Sequence, residues 1–218
     1  MSLTFPLGRA AFVGQLSIRD RSFLLSEALE FGETNGGHLF EADKGPRLWR
    51  GHFQLRNKTT LREAERMQGL VELLQYSSRG FLAFDPVLPG PAFDPDGVLI
   101  AGSSPEVLSV SADNKGLRLS GLPAGYTLSD TDKLTVVSAS GAVGLHRVVG
   151  DPVVAAANGE TGVVQVVPHI LPGFSAADPV TLFQPYCKAR IVPGSFNPGK
   201  AKGLFVEGFR FEFVQDVK

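Results

Sequence analysis

Three aspartates crowd the stretch FDPVLPGPAFDPDG, residues 84–97: Asp85, Asp94 and Asp96. Clustered carboxylates are what a hard cation such as Ca²⁺ requires, and paired carboxylates also serve general acid–base chemistry. The calcium-loop order D-x-[DN]-x-[DN]-G with a distant Glu is missing, and Pro95 restricts the backbone between Asp94 and Asp96. Asp before Pro or Gly is ordinary turn chemistry, so the stretch reads as a Pro-stiffened turn rather than a metal site.

The remaining reactive side chains are dispersed. His38, His52, His146 and His169 lie in different segments, with no i, i+4 partner and no H-E-x-x-H pattern. His146, in GLHRVVG, reads as a satisfied or exposed strand histidine. The single cysteine, Cys187, excludes an intramolecular disulfide and a CxxC zinc pattern. Lys188 and Arg190 beside it are of the charge that lowers a thiol pKa, but no local protease signature accompanies them, and Cys187 reads as a core residue. Residues 121–134, GLPAGYTLSDTDKL, hold hydroxyls with Asp130 and Asp132, but no G-x-S-x-G elbow, Walker loop or G-x-G-x-x-G follows a strand. No catalytic residue, metal ligand, cofactor or cofactor-binding residue is assigned.

The elements that would position such groups are mostly strands. In LWRGHFQLR, Trp49, Gly51, Phe53 and Leu55 share one face while Arg50, His52, Gln54 and Arg56 share the other, the period of a half-buried strand. In LFVEGFRFEFV, Phe205, Phe209, Phe211 and Phe213 fall on one face of a final strand, with Arg210 and Glu212 pointing away. FLAF (81–84) reads as a short buried strand. One segment has helical period: Leu61, Ala64, Met67, Leu70, Val71 and Leu74 form a stripe within a helix over 60–78, opened by a Thr60/Glu63 capping box and stopped near Gly80. Gly69 inside it is expected to admit a close neighbouring strand. Trp49, Phe53, Leu70 and Phe211 are expected in the core.

The middle of the chain has a different texture. Seven short strand patterns (VLIAG, VLSVSA, GLRLSG, LTVVSA, GLHRVVG, PVVAAA, GVVQVVP) alternate with turns, and Asn158-Gly159 marks a tight hairpin. Phenylalanine, frequent in both flanks, is absent between Phe93 and Phe174. With Pro-rich stretches at 84–97 and 168–179, this predicts an outer domain of residues 1–94 plus 176–218 around an inserted β-barrel of residues 95–175.

Bulk properties exclude several classes. The 218 residues carry a formal net charge of −1, which offers no electrostatic case for nucleic acid or an anionic membrane. No apolar run approaches the roughly 20 residues of a membrane-spanning helix. MSLTFPLGRAAFVGQL lacks a continuous signal-peptide core, so synthesis and residence in a cytosol are expected.

The order of these pieces, with LHRVVGDPVVAAANGETGVVQVVPHI and the loop DPVLPGPAFDPDG carrying the likeness over residues 11–214, resembles the distal tail proteins of long-tailed bacteriophages and prophages. The resemblance implies a mainly β fold with one helix: a tail-tube-like β-sandwich with an inserted barrel similar to oligonucleotide/oligosaccharide-binding folds. It implies a structural virion protein rather than an enzyme, assembled in the host cytoplasm. Its partners would be itself, in a hexameric ring at the tail tube and baseplate junction, and the tail tube and tail-tip or hub proteins. DNA would only pass through the lumen, without sequence-specific contact. Ring contacts are expected on the strand LWRGHFQLR, presented as an edge with Arg50, Gln54 and Arg56 facing away from the core. The alternatives are a carbohydrate-binding or adhesion module of a tail tip, which requires exposed aromatics or calcium, and a small β-barrel hydrolase or lyase, which requires a pocket with perturbed carboxylates such as Asp130 or Asp132.

Overall fold

The computed structural model describes residues 3–33, 36–57 and 59–217. In chain order, β1 (Ile18–Leu25), β2 (Leu29–Glu33), β3 (Leu39–Asp43), β4 (Trp49–Leu55) and β5 (Thr59–Thr60) lead into helix α1 (Leu61–Leu74) and β6 (Phe81–Phe84). Then come β7 (Glu106–Val110), β8 (Gly116–Ser120), β9 (Thr127–Leu128), β10 (Lys133–Val137) and β11 (Val143–Val149). They are followed by β12 (Val153–Val154), β13 (Val164–Val167) and β14 (Val180–Thr181). The chain closes with β15 (Tyr186–Ile191), β16 (Lys200–Lys202), β17 (Phe205–Glu207) and β18 (Arg210–Gln215). Among the described residues the fold is mainly β with one α-helix.

A five-stranded antiparallel sheet, in the order β1-β4-β18-β15-β6, draws strands from both ends of the sequence. The last strand pairs with β4 on one side and β15 on the other. Period-two alternation sends Phe23, Trp49, Phe53, Phe211 and Phe213 to one face, where α1, the N-terminal turns and the ribbon β16-β17-β5 complete a single core. Gly51 sits between Phe23 and Phe213 in register, and the two rings close over it with centroids 5.2 Å apart. A Cβ at Gly51 would meet the Ser22 carbonyl oxygen and the Phe213 ring, so this strand position tolerates no side chain.

The middle of the chain forms a second core of its own, from Ile100 to Leu182. Its six strands run in the order β14-β10-β11-β13-β8-β7. The two end strands meet: Glu106 bridges Pro179, Val107 N–H donates to the Asp178 carbonyl at 2.9 Å, and Val180 N–H donates to the Pro105 carbonyl at 2.8 Å. These bonds close the sheet into a barrel, which removes its edges. The barrel rests on the sheet through β10 and β11. Thr135 Oγ1 donates to the Tyr186 carbonyl at 2.7 Å and accepts from Tyr186 N–H at 2.6 Å. Trp49 Nε1–H donates to the Leu145 carbonyl at 2.7 Å.

Local expectations are corrected in several places. The helix ends at Leu74, short of 78, and Ser78, with φ 66°, makes the left-handed turn assigned in the sequence to Gly80. The buried stripe is Ala64, Met67, Val71 and Leu74, while Leu70 is only partly buried at its margin. Gly69 faces open space rather than a strand. The C-terminal pattern is two strands, not one, broken at Gly208 (φ 81°), which leaves Phe205 exposed on the ribbon. Residues 98–102 form turns instead of a strand, because Asp94 draws the Leu99 and Ile100 amides to its carboxylate. Asn158-Gly159 does make a tight reversal, but β12 pairs with β9 rather than with β13 beyond the turn.

Because Gly69 is helical, solvent-facing and unobstructed, Gly69→Ala is expected to raise stability by about 0.5–1 kcal/mol, read as a higher urea midpoint at unchanged slope. Asp85 is the opposite case. It lies buried between Arg21 Nε at 2.6 Å and Lys133 Nζ at 3.2 Å. Asp85→Ala strands two cations in a site with little water and is expected to cost about 3–5 kcal/mol in the same experiment.

Candidate functional site

The aspartates singled out in the sequence are structural acceptors. Asp85 Oδ1 accepts from Val87 N–H at 3.1 Å, besides its two ion pairs. Asp94 accepts from Leu99 and Ile100 N–H at 3.1 and 2.9 Å, and Asp96 is exposed. Asp132 Oδ1 accepts from Ala92 N–H and its Oδ2 from Ser129 N–H, both at 2.8 Å, so it ties the crossing loop to the barrel. The described residues contain no group of three or more His, Cys, Asp or Glu arranged to hold a metal ion. Tyr126, the one aromatic between Phe93 and Phe174, is buried, and burial with the Asp94 and Asp132 charges pushes its phenol pKa up. A buried ring cannot act as a stacking platform for sugars or bases.

Cys187 is fully buried, and burial raises its thiol pKa. The neighbouring cations do not lower it, because strand alternation in β15 turns Cys187 inward and Lys188 and Arg190 to the opposite face. A neutral buried thiol is inert.

A Ser–His–Asp row that the sequence pattern did not reveal runs across β1 and β4. Ser22 Oγ lies 2.8 Å from His52 Nδ1, and His52 Nε2 lies 3.2 Å from Asp20 Oδ2. The imidazole beside it holds the Asp20 carboxyl below its usual range. Register explains the row: Ser22 pairs with His52, and Asp20 with Gln54, on the outer face of the sheet. Acyl transfer also needs paired donors for the oxyanion. Here Ser22 and His52 sit in register on the paired strands β1 and β4, and both are partly buried. The row therefore works as a surface hydrogen-bond ladder.

A cavity of about 550 Å³ opens where the barrel, the C-terminus and the segment after β3 meet. Leu145, Val167, Leu171 and Phe174 form apolar walls, with Asp43 and Arg47 among the lining residues. His146, one of its wall residues, is buried. Its Nδ1 is 2.9 Å from the Pro168 carbonyl, so Nδ1 carries the proton, and Nε2 has no partner among the described residues. Burial pushes the His146 pKa down to about 4.

The expected contact residues are placed differently from the sequence expectation. β4 is an interior strand, paired with β1 and β18, so it cannot present an edge. Its two sides are taken by β1 and β18. Arg50 and Arg56 are exposed and Gln54 is half-buried; alternation puts Arg50 and Gln54 on the side away from the core, while Arg56 lies just past the end of β4. The surface that sequence reading missed is the hairpin β2–β3. Every residue of both strands is exposed, Phe31 and Phe40 at 55% and 63%, and the hairpin packs on no core. Its alternation of acids with Leu and Phe was the available signal.

No protein-family model matches the chain, and comparison with curated proteins finds no match.

His146 makes stability pH-dependent. Its folded pKa lies below the unfolded value near 6.5, so the unfolded chain takes up the proton first as pH falls. The stability is whole above 6.5 and is lost as pH drops toward 4. Between pH 7 and 5 the wild type is expected to lose about 2 kcal/mol more than His146→Phe, measured by urea unfolding at each pH.

Proposed function

We propose that this chain is a structural protein of a bacteriophage tail that assembles into a ring at the junction of the distal tail tube and the baseplate. The observation that carries the reading is the hairpin β2–β3. A two-stranded hairpin is marginal alone in water, and this one leaves Leu29, Phe31, Leu39 and Phe40 exposed. Such an arm is completed by burial against another chain. The mainly β architecture, with one helix and a barrel between the two halves of the sheet, agrees with the resemblance of the sequence to distal tail proteins.

Repetition of one arm-to-body contact is heterologous, and it closes into a ring when the rotation per subunit divides a full circle. In this reading the ring is a hexamer contacting tail-tube and tail-tip proteins, with DNA passing through its lumen. The buried Tyr126 and the inert Cys187 favour this role over sugar binding or hydrolysis.

Sedimentation velocity across a wide concentration range, with negative-stain imaging, tests the reading. The expected outcome is a closed oligomer at high concentration. Deleting residues 29–43 is expected to leave a folded monomer with an unchanged circular dichroism melting transition. A wild-type chain that stays monomeric at every concentration overturns the reading.

A further inference from the structure

A bare acceptor stands in the wall of the cavity beside the barrel. His146 Nδ1–H donates to the Pro168 carbonyl at 2.9 Å, which leaves Nε2 as a lone pair, buried and without a partner among the described residues. Burial pushes the His146 pKa down to about 4, so the lone pair is present at neutral pH. A lone pair withdrawn from water costs free energy until a donor meets it.

The surroundings of Nε2 belong to the cavity. A Cβ placed on Gly144 would stand 2.7 Å from Nε2 and 3.0 Å from the Phe174 ring, so the missing side chain leaves the imidazole and the phenyl room to meet there. The two rings meet edge to face, with centroids 6.4 Å apart. Gly144, His146 and Phe174 all line the cavity. Phe174 is half-buried and belongs to no strand or helix, so its ring is the least anchored part of this wall.

The rest of the lining sets the class of ligand. Val167, Leu171 and Phe174 offer apolar surface. Among the described residues the lining carries one acid, Asp43, and one fixed cation, Arg47, both exposed. One charge of each sign at the mouth gives no net field to select an ion. The cavity of about 550 Å³ falls within the range of roughly 300–1,000 Å³ in which small-molecule pockets lie, and apolar walls with a few placed polar groups are their usual construction.

We infer that this cavity binds a small, neutral, apolar molecule carrying one O–H or N–H donor, which lies against Val167 and Leu171 and gives its hydrogen to His146 Nε2 as the Phe174 ring turns aside. The apolar walls supply the attraction and the single acceptor supplies the selectivity, because a ligand without a donor leaves Nε2 buried and unpaired. The site stands apart from the ring reading and needs no second copy.

Phenol is the probe, and anisole, its methyl ether, is the control: both carry a ring and an oxygen, and only phenol has a donor. The full chain is titrated with each at neutral pH and followed by nuclear magnetic resonance. Phenol is expected to bind at millimolar concentrations and anisole at least about tenfold more weakly. The ¹⁵N resonance of His146 Nε2 is expected to move with phenol and to stay in place with anisole. His146→Phe, with circular dichroism to verify folding, is expected to lower the affinity for phenol to that for anisole. The wild-type Nε2 resonance decides the matter by itself if that variant does not fold. Equal affinities for the two probes, bound phenol that leaves the Nε2 resonance unmoved, a phenol preference that survives in a folded His146→Phe, or no binding of either probe up to its solubility limit each overturns the inference.

Discussion

A single carboxylate joins the parts of this molecule. Asp85 stands where the chain leaves the five-stranded sheet, 2.6 Å from Arg21 of β1 and 3.2 Å from Lys133 of the barrel, and it also holds the amides of its own turn. Lys133 is buried enough that desolvation lowers its pKa despite the facing carboxylate. A charge in that position is tolerable only while its partner stays in place, because an uncompensated ion in a dry site costs several kcal/mol. The ion cluster thereby sets where the inserted barrel sits relative to the sheet. Thr135 and Tyr186, bonded to each other twice, and Trp49, bonded to the Leu145 carbonyl, act over the same contact.

The interface explains how the strands divide their labour. β4 and β18 lie inside the sheet, and their inward Phe and Trp side chains build the outer core. Closure of β7 onto β14 leaves the barrel with no strand edge to offer. The β2–β3 arm is one of the regions that leave apolar side chains uncovered; the crossing loop, with Val87, Leu88, Val98 and Leu99 exposed, is another. Cys187 and His146 are buried, and burial disfavours the charged form of each.

Local periodicity made much of the fold legible in the sequence. The helix stripe and the Thr60/Glu63 capping box depend on residues three and four apart, and both appear in the structure, the box with Glu63 N–H donating to Thr60 Oγ1. The alternation of Trp49, Phe53 and Leu55 with Arg50 and Gln54 requires only a strand, and that strand forms with those faces. The Asp-Pro turns read as turns for a local reason too: the carboxylates of Asp85 and Asp94 reach their own downstream amides.

Other features depend on which elements become neighbours, and local pattern does not carry that. The alternation in β4 looked the same whether the strand was an edge or interior; pairing with β1 and β18 decided it. Nothing near Ser22 or Asp20 in the chain announces His52, 30 and 32 residues away, because cross-strand register alone brings them together. The apolar residues of the arm resemble those of a core strand, yet they stay exposed because no sheet of this chain lies against them. Sequence by itself determined the elements and their faces, through interactions a few residues long. Tertiary structure decided edges, burial of charge and the uncovered surfaces, because those depend on contacts between residues tens of positions apart.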